Sequence, residues 1–403
     1  MSWPGSPRGA PARCHGVVHV TQVVKAGVRR HLVDLITGLH ELGVGQGFVY
    51  SLFGPDPAAP EAVAAIAALG VTTVEIPMVR EISPVQDARD AVRLWAALRR
   101  LRPSVLHLHS SKAGGLGRLV APLLPADVAV VYTPHGNAAN FSPRYATVER
   151  LLGRLRTDRL VAVSGSEYDE LAGLGYVPPA RLARVDSGLP LEQIRRWAAG
   201  PLPALPAGRR LVVSAARLSP PKDPCFLVRV SRRLAERHPD VHFVWAGDGE
   251  LRPDLEREIV ASGVADRWTL LGWLTDPYPL LAAASVVVLP SGFESFGYIT
   301  LEAMVLGKPV VATDVTGSRD LVLPGVTGEL TPVGDEAAFA AALDRVLGDP
   351  ARAERYGRAA AARAAAHYTH ERMAAETLAV YRSALASRGS RDVLAGTAPV
   401  ELA

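Results

Sequence analysis

Cysteine is almost absent from this chain of 403 residues, which contains only Cys14 and Cys225. The two cysteines lie in unrelated sequence contexts, so a disulfide framework and a cysteine-ligated zinc site are both excluded. Such scarcity suits a reducing compartment, and we expect the protein to be cytoplasmic.

Long apolar runs are also lacking. The N-terminal stretch "MSWPGSPRGAPARC" has no apolar segment of the kind that a signal peptide carries. The run "LLAAASVVVL", which begins at Leu280, has the length of a core strand or helix and is too short to cross a bilayer. The sequence therefore predicts no membrane span, and peripheral attachment to the inner face of the plasma membrane is the alternative that it leaves open.

Lysine is scarce as well, because only four of the 44 basic residues are lysines. The arginines are scattered along the chain, and the formal net charge is only +4. Proteins that bind nucleic acid usually concentrate their basic residues in patches. We therefore expect no nucleic acid partner.

Several motifs for metals and cofactors are missing. No two aspartates have the spacing D-x-D, which metal-dependent sugar transferases often use, and no G-x-G-x-x-G follows the first predicted strand. The second absence argues against a nucleotide-dependent dehydrogenase. His107 and His109 alternate along a predicted strand, and we expect them to face opposite ways. The sequence therefore predicts no bound metal.

The chain does contain short β-rich runs that alternate with amphipathic helical segments, in two successive stretches. This pattern predicts parallel sheets covered by helices on both faces. We predict an α/β protein with two doubly wound, Rossmann-like domains that face each other across a cleft. The predicted segments are a flexible tail (1–15), a first domain (16–194), a linker rich in proline and glycine (195–208), a second domain (209–365), a helix that crosses back to the first domain (366–388) and a disordered tail (389–403).

The stretch "SAARLSPPKDP" (214–224) places two cations after a predicted strand. Arg217 and Lys222 lie in its proline-rich loop, and Asp223 followed by Pro224 predicts the start of the next helix. A guanidinium and an ammonium in one loop can bind two phosphate groups, a feature that a glycoside hydrolase does not need. The alternative is a pair of solvated basic residues without a ligand.

The stretch "GFESFGYITLEAM" contains two carboxylates, Glu294 and Glu302, eight residues apart. Eight residues are about 80° out of register on one helix. We therefore expect a helix to begin near Gly297, with Glu294 in the preceding loop and Glu302 in the second turn. Backbone N–H groups at a helix start favour a phosphate, and a carboxylate can accept hydrogen bonds from two sugar hydroxyls. The alternative is a surface pair at a helix N-terminus.

Together with "AGDGEL", "LLGW" and "GVTGELTPVGD", these motifs resemble the C-terminal signature of retaining glycosyltransferases of the GT-B fold, family four, in order and spacing. The resemblance covers residues 16–385. It implies that Glu302 holds the ribose hydroxyls of a nucleotide and that Glu294 contacts the donor sugar. Arg217 and Lys222 are implied to bind the diphosphate.

The same resemblance implies further donor contacts from the backbone around Phe296 and Gly297 and from Gly272 of "LLGW". The first domain is similar to the capsular and exopolysaccharide branch of the family, through "HLHSSKAGGLGRL" and "YTPHGNAANF". This similarity implies that His135 lies beside the donor sugar. Gly27 falls in the implied glycine-rich loop, where Ala26 replaces the first of the usual two glycines.

The resemblance thus implies a retaining, metal-independent glycosyltransferase with an acceptor-binding first domain and a nucleotide-sugar-binding second domain. We expect a UDP-sugar as donor substrate, with GDP as the alternative nucleotide, and no further cofactor. The expected acceptor is a saccharide or lipid-linked saccharide in polysaccharide or glycolipid assembly. A small soluble natural product and a catalytically silent sugar-nucleotide-binding protein are the alternatives. The arginine-rich segment "RDAVRLWAALRRLR" (89–102) is amphipathic, which leaves peripheral membrane contact open.

Overall fold

The fold is described from a computed structural model of the chain, which describes residues 16–52, 56–79, 81–136, 143–390, 392 and 394. The predicted N-terminal tail and all but four residues of the predicted C-terminal tail lie outside the described residues. So do the last five residues of the motif "YTPHGNAANF".

The strands are short and most of them are buried, as expected for parallel sheets with two covered faces. Their bounds are β1 Val17–Thr21, β2 Gln46–Tyr50, β3 Thr72–Glu75, β4 Val105–His109, β5 Ala129–Thr133, β6 Arg159–Ala162, β7 Leu182–Arg184, β8 Arg210–Ala215, β9 Val241–Ala246, β10 Trp268–Gly272, β11 Val286–Leu289, β12 Val310–Thr313 and β13 Gly328–Thr331.

Helices follow most of the strands and supply the crossover connections that parallel pairing requires. Their bounds are α1 Ala26–Glu41, α2 Ala59–Ala68, α3 Pro84–Leu101, α4 Ser111–Val120, α5 Pro143–Arg156, α6 Gly165–Leu174, α7 Leu191–Trp197, α8 Pro224–Leu234, α9 Arg252–Ala261, α10 Tyr278–Ala283, α11 Tyr298–Val305, α12 Thr316–Leu321, α13 Glu336–Gly348, α14 Pro350–His367 and α15 His370–Ser387. None of the helices in the described part of the chain is long and apolar enough to cross a membrane.

The first sheet has seven strands in the order β3-β2-β1-β4-β5-β6-β7. Strand β1 lies near its centre and pairs in parallel with both β2 and β4. The register aligns His19 with His107 and Thr21 with His109. Polar side chains are therefore gathered near the carboxyl ends of two central strands.

The second sheet has six strands in the order β10-β9-β8-β11-β12-β13. Alternate residues of β11 enter two separate cores, one on each face of the sheet. Val287 and Leu289 pack into one core, and Val286 and Val288 into the other. Both faces are therefore buried, which explains why this strand reads as an uninterrupted apolar run.

Strand β8 begins the second sheet in sequence and has β9 on one side and β11 on the other. Successive strands thus lie first on one side of β8 (β9 and β10) and then on the other side (β11, β12 and β13). Ligands of open α/β sheets bind beyond the carboxyl ends of the strands at such a reversal of strand order. The loops that follow β8 and β11 are therefore the first place to look for a binding site.

The chain divides into two compact units. The first unit takes the described residues up to Ala162, then Leu171–Ala183 and those from Ala374 onward, and the second takes Val163–Glu170 and Arg184–Met373. The stretch 195–208, predicted as a linker, belongs to the second unit. Helix α15 begins in the second unit and continues in the first.

Candidate functional site

The loops after β8 and β11 are joined to each other in the second unit. The N–H of Gly292 donates to the carbonyl of Pro221 over 2.9 Å. Lys222 is therefore held close to Glu294, and the two side chains form an ion pair. The structure thus brings together two of the predicted site residues at the reversal of strand order.

Glu294 is fixed in place by several contacts. Its carboxylate accepts a hydrogen bond of 2.8 Å from the Ser291 hydroxyl in addition to the contact with Lys222. The residue is only 8% exposed. A carboxylate this deeply buried needs such partners, because an unpaired charge is costly away from water. Glu294 is therefore a preorganised acceptor whose cationic partner lies at the site itself.

The helix that follows this loop begins at the predicted position. Gly297 is the N-cap of α11, with φ of +87°, a left-handed conformation that favours glycine. No side chain caps this helix start. Phe296 is buried and packs against the rings of Tyr298 and Tyr368. The N–H groups of the first turn are of the kind that bind phosphate oxygens at helix N-termini.

The "TGSRD" segment at the start of α12 contacts the loop that carries Glu294 and Phe296. The N–H of Gly317 donates to the carbonyl of Glu294 over 2.9 Å. A Cβ atom at position 317 would lie 2.5 Å from the carbonyl carbon of Phe296, so only glycine fits here. Asp320 accepts a hydrogen bond of 2.9 Å from the N–H of Ser166. This segment therefore positions the loop.

Glu302 lies in the second turn of α11, as its spacing predicted. It is half-buried and accepts a hydrogen bond of 3.3 Å from the hydroxyl of Tyr278. The Tyr278 ring stacks on Trp197 with 5.3 Å between centroids. Tyr278 begins α10, shortly after the motif "LLGW", and no sequence pattern predicts a role for it.

Arg217, in the loop after β8, and Gly272, at the end of β10, lie at the same edge of the sheet. Arg217 is 3.6 Å from Glu250, and the side chains are 42% and 53% exposed. Such an exposed pair contributes little, so the Arg217 guanidinium can exchange partners at low cost. Gly272 ends β10, and its carbonyl accepts from the N–H of Gly247 over 2.6 Å. Asp223 caps α8 by accepting from the N–H of Phe226, which confirms the helix start predicted there.

In the first unit, the expectation that His107 and His109 face opposite ways is wrong. Residues two apart on a strand point to the same face of the sheet. Their ring centroids are 3.9 Å apart. His135 belongs to the same group, because its Nε2 lies 3.1 Å from Nδ1 of His109. The role of His135 beside a donor sugar stays a prediction.

Gly27 lies in the first turn of α1 and not in a loop. Ala26, the first residue of the helix, has φ of +46°. This conformation favours glycine over alanine. The N–H of Ala26 donates to Asp56 over 2.9 Å, which holds the strained residue in place.

Two family profiles match most of the chain. The profile "Glycosyltransferase Family 4" matches residues 25–193, and "Glycosyl transferases group 1" matches residues 209–349. The Escherichia coli protein named UDP-Gal:alpha-D-GlcNAc-diphosphoundecaprenol alpha-1,3-galactosyltransferase is 30% identical over 291 residues, which are 67% of this chain and 73% of that protein. The chain belongs to glycosyltransferase family 4.

Other relatives of this glycosyltransferase have different names. The D-inositol 3-phosphate glycosyltransferase of Thermobispora bispora is 33% identical over 310 residues, 70% of this chain and 71% of that protein. Alpha-D-kanosaminyltransferase of Streptomyces kanamyceticus is 35% identical over 176 residues, and the matched part spans less than half of either chain (43% and 46%).

Solved structures of glycosyltransferases share the fold. A glycosyltransferase from Rickettsia africae superposes with a TM-score of 0.77 at 16% identity, covering 92% of this chain and 98% of that one. Anabaena HepE in complex with UDP superposes with a TM-score of 0.75 at 21% identity, covering 90% and 99%. The prediction of two Rossmann-like domains of the GT-B class is therefore confirmed.

Proposed function

We propose that this glycosyltransferase transfers a sugar from a UDP-sugar to an acceptor hydroxyl with retention of the anomeric configuration. The observation that carries the proposal is the ion pair between Lys222 and Glu294 beside the uncapped start of α11. It places a cation, a carboxylate and helix N–H groups at the reversal of strand order, which are the groups that a sugar diphosphate requires. UDP is proposed because the name of the E. coli relative specifies UDP-Gal and HepE was solved with UDP.

In the proposed binding step, the diphosphate replaces Glu294 as the partner of Lys222. Glu294 keeps its bond from Ser291 and turns its freed lone pairs to the sugar hydroxyls. Glu302, which the hydrogen bond from Tyr278 orients, accepts hydrogen bonds from the ribose hydroxyls. Arg217, Lys222 and the first turn of α11 supply the positive charge, so we propose that donor binding needs no metal ion.

In the proposed chemical step, the bond between the anomeric carbon and the diphosphate oxygen breaks first. The negative charge that develops on the diphosphate is stabilised by Arg217, Lys222 and the N–H groups of α11. The acceptor hydroxyl then forms a bond to the anomeric carbon on the same face and gives its proton to the departing phosphate oxygen. Atoms and charge balance without a covalent enzyme intermediate, and Glu294 orients the sugar.

For the acceptor, we propose a saccharide carried on a lipid diphosphate. The E. coli relative is named for an acceptor on diphosphoundecaprenol, whereas the Thermobispora relative is named for D-inositol 3-phosphate. A surface of the first unit favours the lipid. Helix α5 exposes Val148, Leu151 and Leu155, which are 50%, 58% and 67% exposed, beside the exposed Arg150 and Arg154. Apolar side chains flanked by arginines suit the surface of an anionic leaflet, and we propose peripheral contact there.

The transfer reaction is tested with a panel of UDP- and GDP-sugars and with two acceptors, N-acetylglucosaminyl diphospholipid and D-inositol 3-phosphate. NMR of the product then gives its anomeric configuration. We expect an α-linked product from an α-configured UDP-sugar and the lipid acceptor, and at least a tenfold lower rate for Lys222→Met. The matched control Glu256→Gln alters an exposed carboxylate of α9 that pairs with Arg252, and this variant should retain full activity.

A β-linked product would contradict retention, and turnover on the soluble acceptor alone would contradict the lipid proposal. Tight donor binding without transfer to either acceptor would support the silent binding protein. The membrane contact is tested by co-sedimentation with anionic and zwitterionic vesicles. We expect binding to the anionic vesicles only, and its loss in the double variant Leu151→Glu/Leu155→Glu. Equal sedimentation of that variant would refute the proposed contact.

A further inference from the structure

Five of the eleven histidines of this chain form one cluster in the first unit. They are contributed by two neighbouring strands, one helix and the segment that follows a third strand. The cluster comprises His19 on β1, His31 on α1, His107 and His109 on β4, and His135 two residues after β5. The donor-site proposal, which concerns the second unit, uses none of the first four.

Hydrogen bonds fix the proton positions along most of this cluster. Gln46 donates through Nε2 to the carbonyl of Ile36 over 2.9 Å, so its Oε1 is the atom 3.0 Å from Nε2 of His19. Nε2 of His19 must therefore carry a hydrogen, and its Nδ1 must accept. That Nδ1 lies 3.2 Å from Nε2 of His109, which must donate. Nδ1 of His109 consequently carries a lone pair and no hydrogen, and it lies 3.1 Å from Nε2 of His135.

His107 differs from its neighbours because both of its ring nitrogens have hydroxyl partners. Nδ1 lies 2.6 Å from the hydroxyl of Tyr381, and Nε2 lies 2.8 Å from that of Thr133. To bind an ion, His107 would have to give up one of these short hydrogen bonds. The group of His31, His109 and His135 is therefore better suited to bind an ion than the group that contains His107.

We propose that His31, His109 and His135 bind one divalent transition-metal ion of the zinc type. One ring nitrogen of each lies within 4.8 Å of those of the other two. Two nitrogens on a tetrahedral zinc ion at 2.0–2.1 Å are about 3.3 Å apart, and Nδ1 of His109 and Nε2 of His135 are separated by 3.1 Å. On binding, Nε2 of His135 becomes a ligand, and the hydrogen of that ring moves to Nδ1.

The surroundings of His109 are those of a metal ligand. A ligating histidine usually donates its second ring N–H to a fixed acceptor, and here Nε2 of His109 donates to His19, which Gln46 holds in turn. Neutral imidazole is the form that coordinates an ion, and the hydrogen bonds of His109 leave its Nδ1 without a hydrogen, as a ligand requires.

His135 adds two further observations. Its φ is +56°, a strained conformation for a non-glycine residue, and such strain is concentrated at ligand-binding sites. It is also the least buried of the three histidines. A three-histidine site with one accessible side leaves the fourth position of a tetrahedral ion to water or a substrate oxygen.

The test uses the full chain without a polyhistidine tag, stripped with EDTA and titrated with Co²⁺ and Zn²⁺. We expect one ion per chain and the visible absorption of tetrahedral Co²⁺. His31→Asn, His109→Asn and His135→Asn should each lower the affinity by more than about 100-fold, and Gln46→Ala by about 10–100-fold through loss of the orienting contact. The matched control is His40→Asn, an exposed histidine on the same helix as His31, which should bind as tightly as the wild type.

Each variant is first checked for cooperative thermal unfolding. His135 is only half-buried, so His135→Asn keeps the test decisive if the buried histidines prove essential for folding. Absence of tetrahedral Co²⁺ absorption in the wild type would overturn the proposal. So would undiminished binding by His135→Asn. Because metal content is measured without donor or acceptor, this result is independent of the proposed transfer reaction.

Discussion

The substitution Gly317→Ala tests whether the "TGSRD" segment holds the loop that carries Glu294 and Phe296. The new Cβ would lie 2.5 Å from the carbonyl carbon of Phe296 and 2.6 Å from its Cα and N, whereas ordinary contact begins at 3.4 Å. The obstacle is backbone, which cannot rotate aside, so the loop has to retreat by about 1 Å. Overpacking of this kind costs about 1–3 kcal/mol. For a unit of this size, each kcal/mol lowers Tm by about 2–4 °C.

The same displacement should affect catalysis more than stability. A misplacement of about 1 Å at a positioned group can cost about 100-fold in rate, so we expect a loss of that order in kcat/KM for the donor. The assays are calorimetric unfolding and transfer kinetics. The control is Gly292→Ala in the same loop, where an added Cβ meets nothing within 4 Å. Wild-type Tm and kinetics for Gly317→Ala, or equal losses in both variants, would refute the reasoning.

Three further predictions concern stability. Ala26→Gly should raise the free energy of unfolding by about 0.5–1 kcal/mol in urea titrations, because φ of +46° strains alanine; a loss of stability would contradict this. Asp223→Ala should lower it by about 1 kcal/mol, since the cap to Phe226 is lost, and an unchanged urea midpoint would count against the cap. Burial lowers the pKa of His19 to about 4, against the opposing effect of the hydrogen bond that its ring donates to Gln46, and that of His135 to about 3. The unfolded chain binds these protons near pH 6.5, whereas the folded chain binds them only at much lower pH. The free energy of unfolding is therefore unaffected by these two histidines above pH 6.5 and falls as the pH drops from 6.5 toward 3. A His19→Asn variant should show a shallower acid loss of Tm than the wild type, and parallel curves would be inconsistent with the assignment.

The sequence predicted those parts of the fold whose patterns are local. The strands β4, β8 and β11 are apolar runs, and the starts of α8 and α11 have residues suited to caps. One strand that it did not predict is β3 "TTVE", in which no residue is fully buried. Pairing with a neighbour, which a single short segment cannot reveal, makes such segments strands.

The residues of the candidate site could be predicted from the sequence, but the contacts between their side chains could not. Motif order identified Lys222 and Glu294 separately, but their ion pair depends on the contact between two loops, and the two residues are 72 positions apart in sequence. Tyr278 escaped notice because its contact with Glu302 depends on the packing of α10 against α11. The histidine cluster was missed because His107 and His109 were expected on opposite faces of their strand, whereas residues two apart lie on the same face.

We propose that the second unit binds a nucleotide sugar through Glu302, Lys222 and the start of α11, and that this binding needs no metal ion. Isothermal titration of a UDP-sugar into the wild type and into Glu302→Gln, with and without EDTA, tests it most directly. We expect a Kd that EDTA does not change and that rises at least tenfold in the variant, because a neutral amide is a weaker acceptor for the ribose hydroxyls. Binding that EDTA abolishes, or a Kd that is the same in both proteins, would contradict this mode of donor binding.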